Sequence, residues 1–125
     1  MYAQRFTVPV TTASDGTATA YTPVFTGQVL SIGYVKDGTV PFSNGVAFAV
    51  TSEATGQTVW GQTGVNASAT VSPRQATHGT DGTASLFAAA GTAVQGPIVL
   101  ANDRLQIAVS GGGNAKAGSF VVIVA

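Results

Sequence analysis

Leu105-Gln106-Ile107-Ala108-Val109 runs through Ser110-Gly111-Gly112-Gly113-Asn114-Ala115-Lys116-Ala117-Gly118 into Ser119-Phe120-Val121-Val122-Ile123-Val124-Ala125. Leu105, Ile107 and Val109 alternate with Gln106 and Ala108, the period of two that marks a half-buried strand. In the second run Phe120, Val122 and Val124 face one way and Val121 and Ile123 the other, so this strand is apolar on both sides. The glycines at 111–113 lie between two good strands and read as a hairpin tip. A two-sheet sandwich gives each sheet only one face in the core, so the outward Val121 and Ile123 call for a second cover. Another subunit, or a loop of the same chain, would supply it.

The same alternation recurs upstream. Phe6, Val8 and Val10 share a face against Arg5, Thr7 and Pro9, and Pro9 marks Gln4–Val10 as an edge strand because it cannot donate to a ladder. In Gln28–Val35 the period places Leu30, Ile32 and Tyr34 on one face. Val46, Phe48 and Val50 oppose Ala47 and Ala49, as if something packs closely on the small side. Asp15-Gly16, Asp37-Gly38, Asn44-Gly45 and Asp81-Gly82 punctuate the chain with turn chemistry. With 17 Val and 17 Thr against 4 Leu and a single Glu, strand formers dominate. Thr83–Ala90 is the one segment where a helix competes, and Gly82 and Gly91 make it too short, so it reads as strand or irregular. The expectation is an all-β, antiparallel, jelly-roll-like sandwich formed as a single domain over residues 1–125, with no linker or repeat dividing it.

Charge narrows the function classes. Charged residues make up 8% of the 125-residue chain and the formal net charge is zero, which argues against nucleic acid or an acidic membrane surface as partner. Cysteine is absent, so disulfides, thiolate nucleophiles and cysteine-based zinc sites are excluded. No apolar run approaches the ~20 residues of a helical membrane span, and no secretory h-region follows Met1.

Little chemistry is written in the remaining residues. Asp15, Asp37, Asp81 and Asp103 read as turn residues, and Glu53 as a solvated side chain near Ala54-Thr55-Gly56. His78 is the single imidazole. A hydrolase would need it buried beside a serine and a carboxylate, and no Gly-x-Ser-x-Gly elbow supplies a nucleophile. Metal-ligand spacing is missing as well, and no cofactor is expected. Gly113 to Ser119 imitates phosphate-loop spacing, but Lys116 precedes Gly118 and the run enters a strand. Trp60 with Tyr21 or Tyr34 is a candidate glycan-stacking platform, with core packing or a subunit contact as the other reading. Arg74 and Arg104 are candidates for intersubunit ion pairs or backbone-carbonyl contacts, or are solvated surface arginines.

Five segments together resemble the small β-rich structural proteins of tailed bacteriophages: Gln28 to Asp37, Ala54 to Trp60, Asn66 to Arg74, Pro97 to Ile107 and Gly112 to Phe120. The resemblance implies a capsid decoration or cement protein on the virion exterior, which binds the major capsid protein and has no enzymatic activity. It brings no catalytic or ligand residue with it. The low charge and doubly apolar strand fit a homo-oligomer. The candidate interface comprises Tyr2, Gln4, Arg5, Arg74, Arg104, Val121 and Ile123, with both terminal segments available to add strands to a neighbour's sheet. The alternative is a tail- or fibre-associated adhesin module that binds host surface glycan.

Overall fold

A computed structural model describes residues 2–125 as eleven strands, with no helix among them. They are β1 (Gln4–Thr11), β2 (Ala18–Tyr21), β3 (Phe25–Lys36), β4 (Val46–Ser52), β5 (Thr58–Val65), β6 (Ala69–Val71), β7 (Gln75–Ala76), β8 (Gln95–Gly96), β9 (Val99–Asp103), β10 (Leu105–Ser110) and β11 (Ala117–Val124). One sheet runs β1-β11-β3-β6 with β9 also on β3; the second runs β2-β10-β4-β5; β7 and β8 form a separate ribbon. Every pairing between these strands is antiparallel.

The pairings nest. β1 takes β11, β2 takes β10, β3 takes β9, and β4 takes β5, so the chain is one long hairpin rolled into two sheets. That is the jelly-roll arrangement the strand rhythm predicts. The fourth place in the first sheet is shared end to end, with β9 along Phe25–Gln28 and β6 along Ile32–Tyr34 of the long β3.

Alternation holds where the ladders are regular. Phe120, Val122 and Val124 are buried while Val121 and Ile123 are half-buried on the outer face, and Leu105, Ile107 and Val109 fill the opposing sheet. Strand β3 departs from the expected face. Its register against β11 shifts between Ile123 and Val124, leaving Leu30 as the extra residue of a β-bulge. Val29 and Ile32 therefore both enter the core, and Leu30 is half-buried.

An aromatic cluster ties the sheets together. Phe48 of β4 meets Phe120 of β11 edge-to-face at 4.9 Å between centroids and Tyr34 of β3 at 4.7 Å, with Trp60 of β5 at 5.7 Å. Such pairs add to the burial of the rings themselves. Gly118 is required where this cluster meets β11: a Cβ there would lie 2.7 Å from Cε2 of Phe42 and 2.9 Å from Cε1 of Tyr34.

The glycine run is not a hairpin tip. β10 and β11 belong to different sheets, so residues 111–116 cross from one to the other. The crossing is held by neighbouring loops. The Gly112 amide donates to Gly16 O at 3.0 Å, its carbonyl accepts from the Ser43 amide at 2.9 Å, and the buried Thr12 hydroxyl accepts from the Lys116 amide at 2.9 Å. Lys116 has its amide tied to Thr12, and no phosphate cradle forms there.

Candidate functional site

The four aspartates divide into two kinds. Asp15 Oδ1 accepts from the Thr17 hydroxyl and amide, Asp37 Oδ2 from the amides of Thr39 and Val40, and Asp81 Oδ1 from the Thr83 amide. These are the expected turn bonds, and they hold all three carboxyls below their ordinary titration range. Asp103 is different because it is 8% exposed and joins two distant loops. The Ser52 hydroxyl donates to Oδ2, and the amides of Ala54 (3.1 Å) and Arg104 (2.7 Å) donate to Oδ1. The Ser52 bond, then the Arg104 and Ala54 amides, hold its carboxyl low against the opposing effect of burial.

Around this lock the expected solvated charges are paired within the chain. Arg104 Nη2 lies 2.7 Å from Oε2 of Glu53, and its guanidinium sits 4.0 Å above the Tyr21 ring. Glu53 is thus an ion-pair partner, which its isolated position in sequence hides. Arg74 donates from Nη1 to the carbonyl of Pro73 at 3.1 Å, a backbone contact made locally.

His78 is exposed, and no hydrogen bond joins its ring to a serine or carboxylate among the described residues. The geometry a hydrolase would need is not assembled. Trp60 is buried at 7% and donates Nε1–H to Gln62 Oε1, and Tyr34 is in the core. The expected stacking platform therefore reduces to Tyr21, whose ring Arg104 covers, and Tyr2.

Three surfaces remain. On the outer face of the first sheet the ladders set Arg5 beside Ile123 and Ser31, Thr7 beside Val121, Gly33 and Thr70, and Pro9 beside Ser119 and Val35. Arg5, Val121 and Ile123 of the candidate interface come together here. Val121 and Ile123 stay half-exposed, so no loop of the described chain folds over them. Tyr2 precedes this sheet at 91% exposure, and Gln4 shares the alternation of Phe6 and Val8 on the opposite face. β11 has both edges occupied by β1 and β3 and cannot add to a neighbour's sheet; β1 has one open edge.

The outer face of the second sheet carries a row of small side chains: Thr19, Ala108, Ala49 and Gly61 pair across β2, β10, β4 and β5. Above it lies an open groove of about 340 Å³, lined by Ala47, Ala49, Gly61, Gln62, Thr63 and Ala108 with Phe48 and Val109 beneath. None of these residues is charged. The small side of β4 is therefore bare, and nothing from this chain packs on it.

The third surface is a projecting arm from Gln75 to Gly96. β7 and β8 form its base, and the Ser85 amide donates to Thr77 O while Ser85 O accepts from the Val94 amide, making 84–87 a middle strand between the two sides. Bridges at His78–Ala84 and Leu86–Ala93 complete the lobe. At its end a tight turn closed from the Gly91 amide to Ala88 O leaves Phe87 75% and Leu86 42% exposed. No ionisable side chain lies between Asp81 and Asp103. Sequence reading passed over this tip, for which a Leu-Phe pair without alternating apolar partners is the one available signal.

The chain matches no protein-family model, no curated protein and no solved structure.

Proposed function

We propose that this protein is a virion structural component, a decoration or cement protein that binds the major capsid protein on the outside of a phage head and stabilises it without catalysis. The observation carrying this reading is the surface itself. Both sheets turn outward faces of small, mostly uncharged side chains, laid in continuous cross-strand rows. Flat neutral faces lose little solvation on contact, and many weak contacts repeated over a lattice add to a large stabilisation of the shell. The few charges support the same view, since Glu53 and Arg104 are spent on each other and three aspartates on their own turns.

The test is addition of purified protein to heads that lack it. Saturable binding at a fixed ratio to the major capsid protein is expected, with DNA release moved to higher temperature and made less sensitive to chelator. Release at the same temperature with and without bound protein would overturn cementing. The glycan-binding adhesin has no comparable support, because Trp60 and Tyr34 lie in the core.

A further inference from the structure

The exposed tip of the arm and the bare groove on the second sheet are opposite in shape and alike in chemistry. Phe87 is a 75% exposed aromatic on a hydrogen-bonded lobe, with Leu86 beside it. The groove, about 340 Å³ and floored by Phe48 and Val109, is walled by alanine and glycine, so that its depth comes from missing side chains. That volume is at the lower end of the ~300–1,000 Å³ typical of sites that take small apolar groups. Phe87 of the same chain does not occupy it, since the ring is exposed.

We propose that Phe87 and Leu86 of one copy seat in the groove over Ala47, Ala49, Gly61 and Ala108 of a second copy. The contact is heterologous: the tip of each molecule meets a different surface on the next, so copies chain head to tail or close into a ring. Charge is consistent on both sides, because neither the groove lining nor the chain from Gly82 to Asn102 carries an ionisable group. No buried ion would be stranded by the match.

Area decides how strong the contact is. An aromatic side chain buries 150–250 Å² when fully covered, so the exposed part of Phe87 offers roughly 150 Å². Even with Leu86 added, this falls far below the ~800 Å² per partner of a standard stable interface. Two copies in dilute solution therefore stay apart, and the contact forms when copies are held at millimolar effective concentration, as on a shell. This role on the particle rests on the cement reading, whereas the pairing of the two surfaces does not.

The test replaces Phe87 by the photoreactive, similarly shaped p-benzoylphenylalanine and irradiates the purified protein at about 1 mM, a concentration matched to that estimate. A product of twice the chain mass is expected, with the cross-link in residues 46–50, 61–63 or 106–110 of the other copy. Ala49→Trp, which fills the groove from the outer face of β4, is expected to cut the yield at least tenfold while circular dichroism stays unchanged. No dimeric product, cross-links mapping elsewhere, or full yield in the Ala49→Trp protein would overturn the proposal. Protein that cross-links as expected yet fails to bind heads would count against the cement reading alone. On coated heads, cross-linking only to the major capsid protein would make that protein the occupant's source and reject pairing between copies.

Discussion

The rolled sandwich and the arm between Gln75 and Gly96 are built from similar residues and held by different forces. In the sandwich, ladder bonds come with burial: Ile32, Ile107, Phe120 and Val122 are sealed from solvent, and the aromatic cluster bridges the sheets. In the arm the backbone bonds are present and the burial is missing, with Thr77, Ser85, Ala93 and Val94 only half-covered and the tip in water. Hydrogen bonds exchange protein partners for water at little net gain, whereas apolar burial is the dominant favourable contribution to folding. The arm thus contributes little to the fold and holds an aromatic where a second molecule can reach it.

The largest effect expected from breaking this contrast is in the core. Phe120→Ala should cost ~3–5 kcal/mol in chemical denaturation, because it removes the ring that meets Phe48 and leaves a cavity between the sheets. Gly118→Ala should follow at ~1–3 kcal/mol, since its methyl must displace Phe42 and Tyr34. Equal stability in either variant would mean that the cluster is looser than its geometry implies.

Asp103 sharpens the comparison through pH. Its folded carboxyl titrates below the usual value of about 3.9, so the stability it contributes is full above that value and is lost as pH falls through the lower folded pKa. Asp103→Asn should therefore be less stable than the parent at neutral pH, with the gap narrowing as thermal unfolding is followed into acid. A constant gap would show that the lost contact is independent of ionisation.

The smallest effect belongs to the arm. Phe87→Ser should change unfolding stability by no more than ~0.5 kcal/mol, as for other exposed positions. Amide exchange should give the Thr77, Ser85 and Val94 N–H groups weak protection through local opening, while β11 exchanges only on global unfolding. Uniform protection would erase the distinction between the two regions.

The legible parts of the fold were those governed by neighbours in sequence. Pro9 and the alternation around it identify β1 as an edge strand, and Asp-Gly pairs give the turns. What sequence hides depends on distant partners. The bulge at Leu30 is set by the register of β3 against β11, and the glycine run at 111–113 signals a change of direction without saying which sheet receives the chain. Asp103 reads as one more turn aspartate until Ser52, 51 residues away, is brought against it. Of the candidate interface, Arg5, Val121 and Ile123 share one face, whereas Arg104 is committed to Glu53 and Tyr21 on the opposite sheet's side. The alanines of β4 were recognisable as a small face; that the face is a bare groove follows only once β2, β10 and β5 flank it.

Sedimentation of heads lacking the protein, mixed with increasing amounts of the purified chain, tests the central claim most directly. The account predicts binding that saturates at a fixed ratio to the major capsid protein and, at saturation, DNA release at a higher temperature. Protein left entirely in the supernatant at every concentration would contradict it.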